Sequence, residues 1–388
     1  MRSRRIGGAV LAVAVLALAA CSSASSSSST SPATGTAPSA ASGGSGGATT
    51  SSVSAASAAV QAATAIPTSI SVTQALPSAP PKGKTVLFLQ CEQAECGYEG
   101  QGLQAAAAAI GWTVKILNFQ AANPATLVTA LKQGLEYHPV AAFFSGVPQA
   151  SWQSMQKPYA AIGAVIVDNF NNVAPTGAGV LAGRGYASEN GPQGTVLADE
   201  QIADSGGTPS NSLLVNVPSY PVFVPLAQAY KAQIAKDCSA CQVTEVDVTL
   251  PQLLGGQLIP AVVSAAKRAS NLKYIVAVNG QFIDQLPQAL QAAGLGGKFK
   301  IISGAGVAAD QQNVLNGQQL ATVSSPYLLG GWQDMDEAIR WVMHLPVPAG
   351  DNEVPWVLLT KSNIGTPNNT FDRPTDYAQQ FEQLWHVG

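Results

Sequence analysis

The stretch Thr85 to Trp112, TVLFLQCEQAECGYEGQGLQAAAAAIGW, constrains this chain more than any other. Thr85 to Leu89 is a short apolar run with β-branched and aromatic residues, as expected of a strand covered on both faces in a parallel sheet. From Gly100 the pattern turns Ala-rich and helical, and it stops at Gly111, a residue suited to a left-handed C-cap. Between strand and helix lies a polar loop, Gln90 to Glu99, with Cys91 and Cys96 in it. It sits at the carboxyl end of the strand, where open α/β sheets bind ligands.

The same alternation runs down the chain. Strands are expected at Thr113 to Phe119, Val140 to Ser145 and Ala164 to Val167, with helices at Pro124 to Gln133 and Ser151 to Ala160. A helix closed by Gly206-Gly207 follows. The pattern then restarts: strands at Leu213 to Val217, Gln242 to Val248, Tyr274 to Val278 and Lys300 to Ser303, helices at Val224 to Ala235, Leu258 to Ala269 and Gln285 to Ala293. Ala309 to Asn316 (helix), Gln319 to Ser324 (strand), Trp332 to His344 (helix), Pro355 to Thr360 (strand) and Pro374 to Trp385 (helix) complete it. Repeated βαβ crossovers mean parallel sheets with helices on both faces, here in two lobes of like design.

The N-terminus reads as an export segment. Arg2, Arg4 and Arg5 precede an uncharged apolar run from Ile6 to Leu18, too short to be a good membrane span. Leu18-Ala19-Ala20-Cys21 resembles the lipobox of bacterial lipoproteins, which implies a signal peptide over residues 1–20 and lipidation of Cys21. A simple secretory signal with an incidental cysteine is the alternative. From Ser22 to about Lys82 the composition is Ser, Ala, Thr, Gly and Pro, so residues 21–82 are expected to form a flexible tether without a core; a weak helix over Val53 to Ala65 is conceivable.

Charge excludes one class of partner. With 19 basic and 22 acidic residues, net -3, and no basic block, nucleic acid is not expected. The four cysteines beyond Cys21 are an even number in an exported chain, and the local pairings are Cys91 with Cys96 and Cys238 with Cys241. A four-Cys zinc site and a redox role for Cys238-Ser-Ala-Cys241 are the competing readings.

The order of elements, the stop at Ala292-Ala293-Gly294-Leu295, the Asn316-Gly317-Gln318 turn, the strand Leu320 to Val323 and the Gly330-Gly331-Trp332 helix start resemble type I periplasmic binding proteins. More narrowly, the chain resembles the sugar-binding lipoproteins of bacterial ABC importers. The resemblance implies two Rossmann-like lobes joined by a three-stranded hinge, closing over a small neutral solute. The first lobe would comprise residues 83–185 and 305–356, the second residues 186–304 and 357–388. Crossings are expected near Gly185, Gly304 and Leu358. The implied partners are a sugar or polyol, an ABC permease and, through the lipid, the membrane. The protein is expected to be a monomer without cofactor or metal.

Ligand groups are expected on loops at the strand ends. In the first lobe these are Gln90, Glu92 and Tyr98, then Ser145 and Gly146, then Asp168 and Asn169. In the second they are Ser219, Tyr220 and Phe223, then Asn279, Gln281 and Phe282, with Asn190 and Tyr327 near the crossings. Carboxylates and carboxamides serve paired hydroxyls, and aromatic faces cover the apolar side of a sugar ring. Sugar binders often carry acids after the strands that here end in Asn279-Gly280-Gln281 and Gly304-Ala305-Gly306, so a polyol or modified sugar is also in view. A sensor for a membrane signalling partner is the runner-up function. Catalysis is not expected: His138, His344 and His386 are scattered, and no nucleophile elbow, zinc-helix motif or phosphate loop is present. A two-carboxylate glycosidase is the weakest of the three readings.

Overall fold

The structure, a computed structural model, describes residues 47–324 and 326–388. The expected signal peptide, Cys21 and the first part of the tether lie outside the described residues. Five parallel strands, β1 (Thr85–Gln90), β2 (Thr113–Asn118), β3 (Ala141–Ser145), β4 (Val165–Asn169) and β5 (Val180–Ala182), form one sheet in the order β2-β1-β3-β4-β5. The second sheet has β6 (Asn211–Asn216), β7 (Val243–Asp247), β8 (Leu272–Ala277), β9 (Lys300–Ser303), β10 (Ala321–Val323) and β11 (Leu358–Leu359), in the order β11-β10-β9-β8-β6-β7. Only β11 runs antiparallel to its neighbour.

The helices are α1 (Thr50–Ala63), α2 (Ala94–Ile110), α3 (Pro124–Gly134), α4 (Gln149–Trp152), α5 (Gln156–Ala161), α6 (Ala187–Ser205) and α7 (Phe223–Asp237). They continue as α8 (Leu250–Leu254), α9 (Leu258–Arg268), α10 (Leu286–Ala292), α11 (Ala308–Leu315), α12 (Tyr327–Val342) and α13 (Tyr377–Leu384). Successive strand side chains point to opposite faces, and the cores divide accordingly. Val86 and Phe88 of β1 pack with α2, α12 and α13, whereas Leu87 and Leu89 pack with α3 and α5. In the second lobe Leu214 and Val276 pack with α6 and α7, and Leu213 and Ile275 with α9 and α10.

Several expectations need correction. Residues 305–323 belong to the second lobe, since β10 pairs with β9 in its sheet. The second passage therefore falls between β10 and α12, not at Gly304, which directly follows β9. Helix α12 then covers the first lobe, and after β11 the chain returns there once more, with Phe381 and Trp385 in the first-lobe core. The last residues were expected in the second lobe; their large aromatic side chains decide otherwise. Trp385 stacks on Trp332 with ring centroids 5.4 Å apart, and Trp332 is a core residue.

The expected tether is ordered over its second half. Thr49 caps α1, its side chain accepting from the Ser52 N–H at 3.1 Å, and the helix lays Val53, Ala56 and Val60 on the second-lobe core. Residues 64–82 then run across to the first lobe, burying Ile70, Val72 and Leu76 beside α12 and α13. The Leu76 N–H donates to the Leu384 carbonyl at 2.9 Å, and the Arg340 guanidinium donates to the Gln74 carbonyl at 2.6 Å. A polar average concealed a handful of well-spaced apolar side chains. No helix among the described residues is long and apolar enough to cross a membrane.

Candidate functional site

The carboxyl ends of the two sheets face one another across a cavity of about 150 Å³. From the first lobe it is lined by Gln93, Glu95, Glu99, Ser145 and Phe170, from the second by Tyr220, Phe223, Asn279 and Phe282, and at the crossings by Arg184, Glu189, Asn190, Gln193, Ser324, Tyr327 and Trp356. The first-lobe rim is shaped by the early start of helix α2. Helix α2 begins at Ala94 rather than Gly100, so Glu95 and Glu99 are one helical turn apart on the same face. The Cys91–Cys96 disulfide closes the turn between β1 and α2. Cys238 and Cys241 form the second disulfide, so the expected local pairings stand and the zinc reading falls.

Behind the cavity lies a buried ionic network. Arg184 pairs with Glu99 at 2.7 Å and with Asp334 at 3.4 Å, and its guanidinium covers the Phe170 ring at 4.7 Å. Glu99 also accepts from the Ser145 hydroxyl at 3.2 Å and the Asn169 amide at 3.2 Å. Burial opposes the charge on Arg184, but Glu99, Asp334 and Glu189 outweigh it and hold the guanidinium protonated. The acids around it are many. Burial raises Asp334 to about 8 against the pull of Arg184, raises Glu189 to about 7, and pushes Glu337 and Asp168 well above the usual carboxylate range. One guanidinium cannot compensate so many buried carboxylates, and burial favours their protonated forms.

The second lobe contributes an aromatic wall. Tyr220 stacks on Phe282 at 6.0 Å, and Phe223 meets both edge-on, at 5.8 Å from Tyr220 and 5.7 Å from Phe282. Two contacts join the lobes across the cavity: Gln93 donates to the Tyr220 hydroxyl at 3.2 Å, and Asn279 donates to Glu95 at 3.5 Å. With its amide nitrogen turned inward, Gln281 also donates to Glu95. Burial raises the Glu95 carboxyl above its ordinary value, and the Asn279 bond opposes this.

Of the residues expected at the ligand, the structure brings Ser145, Gly146, Asn190, Tyr220, Phe223, Asn279, Phe282 and Tyr327 to the cavity. The others lie elsewhere. Asp168 is fully buried and accepts from the Asn171 amide at 3.1 Å, while Asn169 is spent on Glu99, Asp334 and the Arg184 N–H. Glu92 accepts from the Ala121 N–H at 2.9 Å, Ser219 is exposed, the Gln90 side chain lies against Gly100, and neither Tyr98 nor Gln281 lines the cavity. Sequence reading missed Glu95, Glu99, Arg184, Glu189 and Gln193 because it searched strand ends, and these sit on helices or at a crossing. The signal that could have found Glu95 and Glu99 was their spacing of four ahead of an Ala-rich helix.

No protein-family model matches the sequence, and no curated protein does. Solved structures do match in fold. An ABC sugar transporter subunit from Rhodobacter sphaeroides is 17% identical with TM-score 0.60, over 73% of this chain and 99% of that one. An ABC transporter solute-binding protein from Agrobacterium vitis, bound with α-D-tagatopyranose, is 18% identical with TM-score 0.61, over 74% and 96%. Another from Burkholderia graminis, in complex with D-arabinose, is 14% identical with TM-score 0.62, over 76% and 100%. Two mostly parallel sheets flanked by helices, with a cavity between their carboxyl ends, give this chain the two-lobed α/β fold of the type I periplasmic binding proteins.

Proposed function

We propose that the protein is an extracytoplasmic solute-binding lipoprotein that takes a sugar- or polyol-like solute into the inter-lobe cavity and delivers it to an ABC permease. One observation carries the reading: a cavity at the facing strand ends, walled by Tyr220, Phe223 and Phe282 and floored by polar groups from both lobes and the crossings. Aromatic faces suit the C–H side of a ring or chain, and carboxylates with carboxamides suit its hydroxyls. The bound sugars of the Agrobacterium and Burkholderia proteins support the solute class. Residues 1–20 then act as an export signal and Cys21 as the acylated anchor, keeping the lobes near the membrane that holds the permease.

Binding to the closed form would shift an open-closed equilibrium, so that closure reports occupancy. Thermal-shift screening of the chain against sugars, polyols and their derivatives tests the reading, because a ligand of the folded form raises the melting temperature. A hit should also reduce the radius of gyration in solution scattering. Hits that bind without compaction would remove the closure mechanism.

A further inference from the structure

Three carboxylates, Glu95, Glu99 and Glu189, line the cavity, and Arg184 is the one basic residue among the described residues that do. Arg184 is already committed. It pairs with Glu99 at 2.7 Å and with Asp334 at 3.4 Å, and its guanidinium face lies on Phe170. Among the described residues neither Glu95 nor Glu189 forms an ion pair, although Arg184 acts on Glu189 from farther off. The side-chain partners of Glu95 are the neutral amides of Asn279, at 3.5 Å, and Gln281. Glu189, 6% exposed, accepts from the Gly185 N–H at 3.0 Å.

A second, independent feature points the same way. Tyr220, Phe223 and Phe282 put three aromatic rings in the cavity lining, and the negative quadrupole of an aromatic face attracts a cation and its attached C–H groups. Hydroxyls alone would leave Glu95 and Glu189 in a largely apolar enclosure that favours their protonated forms, whereas a bound cation would hold them as carboxylates. An anion would add to the imbalance. An ammonium group supplies charge and donors together.

We propose that the solute held in this cavity is a sugar or polyol bearing an ammonium group, in place of the uncharged solute expected from the sequence; the proposal rests on the solute-binding reading above. Glu95 and Glu189 compensate the ammonium, and the aromatic wall covers the adjoining carbon skeleton.

Calorimetric titration of the full chain with matched pairs tests it: glucosamine with glucose, and N-methylglucamine with sorbitol. The titrations are run near neutral pH, where both amines are largely protonated and Glu189 can give up its proton against a bound ammonium. In at least one pair the charged member should bind about tenfold or more tightly than its partner, and added salt should reduce that margin. Glu95→Gln and Glu189→Gln should each narrow the margin between the charged and the neutral member of a pair, and a margin unchanged in both variants would overturn the assignment. Neutral members that bind as tightly as the charged ones overturn the charge assignment and leave solute binding standing. No binding by any member overturns both readings.

Discussion

Arg184 shows how one side chain can hold the back of a cleft together. It is fully buried between Glu99 and Asp334, and removing one partner of such a group strands the others. Arg184→Met should therefore cost about 3–5 kcal/mol in urea unfolding. Adding Glu99→Gln and Asp334→Asn to it should recover most of the loss, because the uncompensated charges go too. A single variant as stable as the parent would contradict the network. Glu189 sets a pH dependence. Burial lifts it from its ordinary 4.5 to about 7, opposed by the Gly185 N–H and Arg184 and assisted by Glu353. Between those values the folded protein keeps a proton that the unfolded chain has released. Its contribution is complete below the unfolded value and is lost as pH rises through about 7, an effect of roughly 3 kcal/mol at most. Melting temperature should fall over that interval, and Glu189→Gln should flatten the fall; parallel curves would refute the assignment. At this scale the sequence exposed the aromatic residues and Asn279, whose places follow from strand ends. It hid Asp168, since a carboxylate after a strand looks the same in sequence whether it faces a cleft or a buried amide.

Helices α2 and α12 are the elements whose packing fixes the first lobe. Gly102 lies so close to α12 that a Cβ on it would run into the Leu328 carbonyl, and Gly194 of α6 stands in the same relation to Leu226 of α7. Each lobe thus sets a long helix, entered directly from a crossing, against the helix that follows its first strand. Gly102→Ala and Gly194→Ala should each destabilise the chain by about 1–3 kcal/mol, the usual cost of overpacking, where a helix propensity scale alone would have Ala stabilise. Denaturant midpoints decide between the two signs. The segment before β1 is the element the sequence misjudged. Leu76→Ala should cost about 2–5 kcal/mol, the range for a buried leucine; a cost near zero would return this segment to the status of a tether. Propensity averaged over a Ser- and Ala-rich window cannot register three apolar side chains that meet pockets formed by residues some 300 positions away in sequence.

For the whole molecule, that segment is a strap. Its helix α1 rests on α6 of the second lobe, the Asn363 amide holds the Thr64 carbonyl at 3.0 Å, and Ile70, Val72 and Leu76 are buried in the first lobe. It therefore spans the lobes alongside the four later passages of the chain between them and limits how far they part. Removal of residues 47–66 should leave both cores folded and enlarge the ligand-free radius of gyration in scattering. An unchanged radius would show that the crossings alone set the opening.

The alternation of apolar runs with helical patterns sufficed to determine two parallel sheets with covered faces, because burial on both sides of a strand demands a local run that any reader of the chain can see. Local spacing also gave the two disulfides. Which lobe owns residues 305–323 and 374–388, where the strap lies and which acids face the cleft were decided only by tertiary packing. Those outcomes depend on partners far away in the chain, and the free energy that selects them belongs to contacts that no single stretch contains.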